Sequence, residues 1–316
     1  MISLKTLFIS LIMLLHSCPS DTQDIFLFSY FTGNGEDGLH LAYSTDGLNW
    51  KALQEGRSFL RPEVGKDKLM RDPCIIKGND GLFHMVWTSG WWDKHIGYAS
   101  SPDLIRWSVQ KSIPVMEHEP DAKNCWAPEV FYDSEKKEYL IFWATTIPGR
   151  HSEVATSERE KGLNHRIYYV TTKDFIEFSE TKMFFNPDFS VIDATITKKG
   201  SMFYMIVKNE NSSPPEKNLR VTSSICAQGP YPVQVSGPIT GDYWAEGPTC
   251  LPSGDYVYVY FDKYRDHRYG AVRSKDMQHW EDISDQVSFP EGIRHGTAFK
   301  VSKKVLGRLL KNQEDF

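Results

Sequence analysis

The chain has 316 residues, 40% of them hydrophobic and 13% aromatic, and its formal net charge is −5 at pH 7. This is the composition of an ordinary globular protein that can bury a sizeable core in one large domain or two small ones. Because acidic residues outnumber basic ones and the basic block is limited to a short tail around Lys303, Lys304 and Arg308, a nucleic-acid partner is not expected.

The first 18 residues have the layout of an export signal. Lys5 precedes an apolar run from Leu7 to Leu15, which is too short to span a bilayer, and the small residue Ser17 follows it. The position of Cys18 also resembles the lipidated cysteine of a bacterial lipoprotein signal. We therefore expect an exported protein, periplasmic or at the cell surface, whose only membrane contact is a lipid anchor at Cys18. A plain cleaved signal is the alternative.

Five stretches of alternating apolar and aromatic residues predict β-strands. They are Phe26–Phe31, Leu82–Thr88, Glu138–Ala144, Met202–Val207 and Tyr256–Phe261. Helical character is limited to Val305–Leu310, where a short terminal helix could form. The predicted class is all-β, with residues 24–316 forming a single domain.

A turn motif repeats along the chain, in which a Ser or Thr is followed by Asp and, four residues after the Asp, by an aromatic residue. The copies are Ser44/Asp46/Trp50, Ser101/Asp103/Trp107, Thr172/Asp174/Phe178 and Ser274/Asp276/Trp280. Because the last gap between copies is about twice the first, we expect one degenerate copy near Ser223 and Ser224. Five units of roughly 50 residues, each with about four short strands, match the blades of a five-bladed β-propeller.

A second series of motifs marks the start of each innermost strand. It comprises Arg71-Asp72-Pro73, Trp126-Ala127-Pro128-Glu129, Ile192-Asp193-Ala194, Glu246-Gly247-Pro248 and Arg294-His295-Gly296. Because the series keeps one phase, we expect its polar residues to occupy one structural position and to converge on the propeller axis. The fifth inner strand has no further strands after it, so the N-terminal strands should complete the last blade.

Converging carboxylates point to catalysis rather than to packing. Acids crowded around one axis raise each other's proton affinity, and a pair of carboxyl groups acting as acid and base is what glycoside hydrolysis requires. Any one of these acids taken alone could equally be a solvated loop residue. The hypothesis of a catalytic site rests on the fact that these acids recur at the same point of successive repeats.

With these five motifs in this order, the mature chain resembles glycoside hydrolase family 43, the arabinofuranosidase- and xylosidase-like propellers, over nearly its whole length. The resemblance implies that Asp72 is the general base, that Glu246 is the general acid, and that Asp193 orients and tunes that acid. His295 would hold an axial water or a calcium ion, and no other cofactor is expected. Ala194, where Pro is frequent, and the permuted last blade indicate an outlying subgroup.

Side chains near the predicted mouth are candidates for sugar binding. They are Arg71, Trp91, Trp92, Trp126, Glu129, Trp244 and Arg294. Aromatic rings stack on the C–H faces of sugars, and guanidinium groups can bind hydroxyls or fix the acids. Packing of the tryptophans in the blade core and salt bridges of the arginines are the competing interpretations. Six histidines without metal-ligand spacing are expected on the surface or in loops: His84, His95, His118, His151, His165 and His267.

The predicted activity is therefore inverting hydrolysis of plant-type polysaccharide or oligosaccharide side chains, such as α-L-arabinofuranosides or β-D-xylosides, by a monomer. Inversion requires the base and the acid to stand about 6.5 to 9.5 Å apart, so that water fits beside the sugar. A retaining fructan or sucrose hydrolase would need a further nucleophilic Asp before Arg71, and a glycoside phosphorylase would need a basic cluster. A non-catalytic sugar-binding propeller would have lost an acid or a base.

Overall fold

The structure is a computed structural model that describes residues 24–151, residue 154 and residues 162–311. The export signal and Cys18 lie outside the described residues. In chain order the strands are β1 Ile25–Phe31, β2 His40–Ser44, β3 Lys51–Ala52, β4 Arg71–Lys77, β5 Phe83–Thr88, β6 Ile96–Ser101, β7 Lys111–Ile113, β8 Trp126–Asp133, β9 Glu138–Thr146, β10 His165–Thr172, β11 Lys182–Phe185, β12 Val191–Lys199, β13 Met202–Asn209, β14 Asn218–Ser224, β15 Glu246–Ser253, β16 Tyr256–Lys263, β17 Arg268–Ser274, β18 Glu281–Asp282 and β19 Arg294–Val301. Short 3-10 turns span Gln54–Gly56 and Ser284–Gln286, and helix α1 spans Lys303–Lys311.

The strands form five antiparallel sheets, which are the blades of a propeller. From the inner strand outward, blade I is β4-β5-β6-β7, blade II is β8-β9-β10-β11, blade III is β12-β13-β14, blade IV is β15-β16-β17-β18 and blade V is β19-β1-β2-β3. The five-bladed, all-β fold is thus confirmed. The closure of blade V is confirmed as well, because β19 pairs with β1 over the register from Ile25 opposite Val301 to Phe31 opposite Arg294.

Aromatic residues fill the spaces between neighbouring blades. Between blades IV and V, the Phe28 ring meets the Trp50 ring edge to face with 5.4 Å between centroids, and it meets the Tyr269 ring in the same way at 5.4 Å. Phe289 stacks on Trp50 at 5.5 Å. Such ring pairs contribute about 1 kcal/mol each beyond the apolar area they bury, so the alternating aromatic residues that predict the strands also join the blades.

The repeated Asp turn connects the third strand of a blade to the fourth. In blade I the Ser101 hydroxyl accepts the backbone N–H of Leu104 at 2.7 Å, and the carboxylate of Asp103 accepts the N–H of Arg106 at 2.9 Å. The degenerate copy is confirmed at Ser224, whose hydroxyl accepts the backbone N–H of Cys226. Cys226 stands at the position that Asp occupies in the other copies. In the part of the chain that the structure describes, blade III has three strands and continues into an irregular segment.

A β-bulge lies near the start of every inner strand, where two residues oppose a single residue of the second strand. In blade I, Asp72 and Pro73 together oppose Trp87. The first of the two bulged residues, which we call the bulge residue, is Asp72, Ala127, Asp193, Gly247 and His295 in blades I to V. The first four of these have positive φ angles of 51°, 46°, 48° and 60°, a strained conformation for a residue with a side chain.

The bulges arrange the inner strands into three rings around the axis. The mouth ring precedes the bulge residues and contains Arg71, Trp126, Ile192, Glu246 and Arg294; the bulge ring contains the bulge residues; and the deep ring, two residues further along, contains Cys74, Glu129, Thr195, Thr249 and Thr297. The expectation that all the polar motif residues share one position is therefore wrong. Glu246 belongs to the mouth ring and Glu129 to the deep ring, because a shift of one or two residues at a bulge changes where a side chain points.

Helix α1 follows β19 and covers the outside of the blades. Its residues Leu306 and Leu309 are buried against an apolar cluster that includes Leu27 and Met85. The short terminal helix expected at Val305–Leu310 is confirmed within these bounds. Among the described residues, no helix has the length and apolar character needed to cross a membrane.

Replacement of Gly296 by Ala should destabilise the protein by weakening the β19–β1 closure. A Cβ at position 296 would lie 1.7 Å from the carbonyl oxygen of Ser29, so backbone would have to move. We expect a loss of about 2 kcal/mol or more in the free energy of unfolding, as for overpacking in a core, measured by urea denaturation.

The matched control is Gly237→Ala, since a Cβ at position 237 has open space around it. Equal stability of the two variants would contradict a structural role for the close approach of β19 to β1.

Candidate active site

A cavity of about 200 Å³ opens at the axis. Its lining consists of the whole mouth ring, three bulge residues and a few neighbours: Phe31, Arg71, Asp72, Thr88, Trp91, Trp126, Ile192, Asp193, Lys208, Glu210, Glu246, Arg294 and His295. Asp72, Asp193 and Glu246 come from three separate blades and meet in this one cavity. No residue of the deep ring lines it.

Asp72 is held as an ionised carboxylate. Its Oδ2 accepts a hydrogen bond from the Thr88 hydroxyl at 2.7 Å, and its Oδ1 lies 3.3 Å from Nδ1 of His295. Burial alone would raise the pKa of Asp72, but the hydrogen bond and charge of His295, with the charge of Arg71, outweigh burial and lower the pKa to about 2. A carboxylate in this state can accept a proton at neutral pH.

Asp193 lies in the same ring but holds a proton more readily. Burial raises its pKa to about 6, against the charges of His295 and Lys208, and the negative charge of Glu246 adds to the rise. Its Oδ2 accepts the backbone N–H of Gly247 at 3.1 Å. Asp193 is therefore hydrogen-bonded to the residue that follows Glu246 in the chain.

Glu246 sits at the centre of a chain of alternating charges. Lys208 donates to its Oε2 at 2.9 Å, and Arg294 donates to its Oε1 at 3.3 Å. The chain in order is Lys217, Glu210, Lys208, Glu246, Arg294 and Asp262, with the remaining contacts at 2.7, 2.6 and 2.8 Å. Both carboxylate oxygens of Glu246 are thus fixed in position by cations that are themselves fixed.

The flanking groups of this chain are deeply buried. Lys208 is 2% exposed, and although burial would lower its pKa, the charges of Glu210 and Glu246 raise it. Burial raises the pKa of Asp262 to about 6, with a contribution from the charge of Glu246 and opposition from Arg294. A charge pair buried this completely is costly to break, since removal of one partner leaves the other uncompensated.

Four of the seven predicted sugar-binding residues line the cavity, and three do not. Arg71, Trp91, Trp126 and Arg294 are in the lining, where the Trp126 indole N–H donates to the carbonyl of Trp91 at 2.8 Å. Trp244 lies away from it, with its ring 5.8 Å from that of Tyr264. Trp92, 52% exposed, lies beside Trp126 at the rim.

Glu129 lies below the cavity floor, in the deep ring. The hydroxyls of Thr195 and Thr297 donate to its carboxylate at 3.2 and 3.4 Å. Burial raises its pKa to about 7, against the charge of His295. In this position Glu129 supports the axis from within, and the described cavity gives a sugar no access to it.

His295 lies in contact with Asp72 at the axis. Burial would lower its pKa, but its hydrogen bond and ion pair with Asp72, together with the charges of Asp193 and Glu129, raise the pKa to about 9. The axial water or calcium ion expected beside His295 stays a prediction. Within the described residues, no three His, Cys, Asp or Glu side chains are grouped to hold a metal ion.

Sequence reasoning missed the contribution of the second strands. Phe31, Thr88, Lys208 and Asp262 each pair with a mouth-ring residue, and the first three line the cavity. A signal was present at Lys208, a charged residue at the end of an otherwise apolar strand. The expectation that His84 and His165 are surface or loop residues is wrong, since both are buried within strands.

Comparison with known proteins agrees with this fold. Residues 21–306 match the family model described as a probable glycosyl hydrolase domain, related to glycoside hydrolase family 43. An α-L-arabinofuranosidase from Bifidobacterium longum subsp. longum is 23% identical over 184 residues, which cover 52% of this chain and 17% of that relative.

Two solved structures illustrate the shared fold. An α-L-arabinofuranosidase from Lactobacillus brevis superposes with a TM-score of 0.52 at 16% identity, covering 67% of this chain and 72% of the other. An exo-β-1,3-galactanase from Clostridium thermocellum gives 0.52 at 13% identity, covering 71% and 50%. At such identities the likeness is one of fold.

The fold is a five-bladed propeller whose axial cavity brings together Asp72, Asp193 and Glu246 from three blades. The chain belongs to the family of probable glycosyl hydrolase domains related to glycoside hydrolase family 43.

Replacement of Lys208 by Met should destabilise the protein, because Glu210 and Glu246 would lose their shared buried cation. We expect a decrease of about 3 kcal/mol in the free energy of unfolding, measured by urea denaturation at neutral pH. Lys208→Arg keeps the charge and should lose less.

The matched control is Lys198→Met, which removes a lysine from a solvent-exposed pair with Glu135 and should change stability by less than about 1 kcal/mol. A Lys208→Met variant as stable as this control would contradict the ion-pair chain.

Proposed function

We propose that the protein is an inverting glycoside hydrolase in which Asp72 is the general base and Glu246 the general acid. The observation that carries the proposal is their placement on blades I and IV, which are not neighbours, around one cavity. Among the described side chains, these two carboxylates make no contact with each other. Such a separation supports a site with space for a water molecule beside the sugar, as inversion requires.

In the proposed reaction, water attacks the anomeric carbon from the side of Asp72 and gives its proton to that carboxylate. The bond from the anomeric carbon to the leaving oxygen breaks, and Glu246 donates a proton to that oxygen. Asp72 is suited to its role because His295 and Thr88 keep it ionised and oriented.

The acid requires a proton although two cations surround Glu246. Asp193 supports this requirement, because the negative charge of Glu246 adds to the rise in the pKa of Asp193, so this pair of carboxyl groups holds a proton more readily than an isolated one. Lys208 and Arg294 then serve to orient the carboxyl group. We propose that this balance gives a bell-shaped dependence of kcat/KM on pH.

The sugar that we propose is a terminal α-L-arabinofuranosyl or β-D-xylosyl unit on a plant-type saccharide. The names of the Bifidobacterium and Lactobacillus relatives support arabinofuranosides. The layout of residues 1–18 supports export with a lipid anchor at Cys18, and we propose a monomer. A panel of nitrophenyl glycosides would identify the sugar.

Glu246→Gln should separate the acid from the base by its dependence on the leaving group. An oligosaccharide alcohol needs protonation to depart, whereas nitrophenolate does not, so Glu246→Gln should lower kcat on the oligosaccharide by about 10²- to 10⁴-fold and much less on the nitrophenyl glycoside. Asp72→Asn should lower kcat on both substrates by a similar factor. Steady-state kinetics on the two substrates measures this. Unchanged turnover of the oligosaccharide by Glu246→Gln would refute the role of Glu246 as the acid.

The first sugar product should have the anomeric configuration opposite to that of the substrate. Proton NMR recorded within minutes of adding enzyme distinguishes the anomers before mutarotation. A retained configuration would favour the fructan-hydrolase type of mechanism, and binding of the glycosides without turnover would favour a sugar-binding propeller.

A further inference from the structure

Arg71 differs from the other cations of the cavity in its partners. Lys208, Arg294 and His295 each lie within 3.3 Å of a carboxylate oxygen. Among the described residues, Arg71 forms no such ion pair. Glu36 is near enough for the charge of Arg71 to contribute to lowering its pKa, but its carboxylate accepts the backbone N–H of Asn34 and does not pair with the guanidinium.

The guanidinium of Arg71 is nevertheless held rigidly. Its Nη1 donates to Oδ1 of Asn34 at 2.9 Å, and the same oxygen accepts the indole N–H of Trp91 at 3.1 Å. The guanidinium carbon lies 4.2 Å from the centre of the Trp91 ring and 4.8 Å from that of Phe31. The side chain is thus fixed before any ligand arrives, which lowers the entropic cost of binding.

This arrangement leaves one edge of the guanidinium free. The structure gives Nη1 an acceptor, whereas Nε and Nη2 have none among the described residues. The Nε–Nη2 edge is a planar pair of donors that matches the two oxygens of a carboxylate. Phe31, Arg71 and Trp91 all line the cavity, so a bound saccharide can reach this edge.

The side of the cavity near Asp72 also carries an excess of positive charge. Arg71 and His295 both lie near Asp72, and the charges of both lower its pKa. Asp72 is already satisfied by Thr88 and His295. A second anion bound on this side would therefore lie near Arg71, which forms no ion pair with a carboxylate among the described residues.

We propose that Arg71 binds a carboxylate on the saccharide in the cavity, so that the substrate is an acidic saccharide containing a uronic acid. The inference rests on the proposed function and deepens it. A uronic acid keeps the ring of a pentopyranose such as xylose and adds a carboxylate at C5. Of the two sugars proposed above, the xylosyl unit has this ring, and Arg71 accounts for the added carboxylate.

Binding of small sugars tests the inference without relying on turnover. D-glucuronate and D-galacturonate are compared with their neutral methyl esters by isothermal titration calorimetry on the full chain. We expect each uronate to bind about 10- to 100-fold more tightly than its ester, the range of a charge-assisted pair of hydrogen bonds. Arg71→Gln should remove this difference, and Arg71→Lys, which keeps the charge without the planar edge, should retain part of it.

Arg106→Gln is the matched control, since Arg106 is exposed and pairs with Asp103 in a surface turn far from the lining. It should keep the full preference for uronates, and melting temperatures check that each variant is folded. Equal affinity for uronate and ester, or a preference that survives in Arg71→Gln, would overturn the inference. Tighter binding of galactose 6-sulfate than of galacturonate would overturn the choice of carboxylate.

The same protein assayed for hydrolysis of nitrophenyl glycosides judges the proposed function separately. Binding of uronates without hydrolysis of any glycoside would support the role of Arg71 and contradict the proposed mechanism. Hydrolysis of neutral glycosides without a preference for uronates would support the proposed mechanism and contradict the role of Arg71.

Discussion

A bulge near the start of each inner strand is the constraint on which the cavity depends. A regular strand points successive side chains to opposite faces, so it could not present two adjacent residues to the axis. The extra residue lets Arg71 and Asp72, or Arg294 and His295, enter the same cavity from one strand. Four bulge residues adopt positive φ angles for this purpose, and the surrounding sheet must hold that strain.

The second strands solve the problem of burying so much charge. Acids gathered at an axis repel one another, and each loses the hydration it would have in water. Lys208 and Asp262, on second strands, extend the charges of Glu246 and Arg294 into an alternating chain in which every member faces an opposite charge. The blades therefore contribute both the reactive groups and the counter-charges that keep them in place.

Much of the fold could be predicted from the sequence because propeller signals are local and repeated. The Asp turns, the alternating strands and the unpaired fifth inner strand are all readable within short windows, and together they require five blades. The three cavity acids could be named for the same reason. Glu129 and Trp244 could not be placed, because cross-strand register decides which side chains face the axis, and one bulge shifts that register. Lys208 was missed since its role depends on an ion pair with Glu246, which lies on another blade.

The shared blade V has a consequence for how the protein matures. His295, which keeps Asp72 charged, belongs to the last strand of the chain, whereas Asp72 belongs to the first complete blade. Asp72 therefore receives this partner only when β19 is in place against β1. The pairing that closes the ring of blades also brings His295 to Asp72. A chain that stops before β19 would therefore lack the residue that keeps Asp72 ionised.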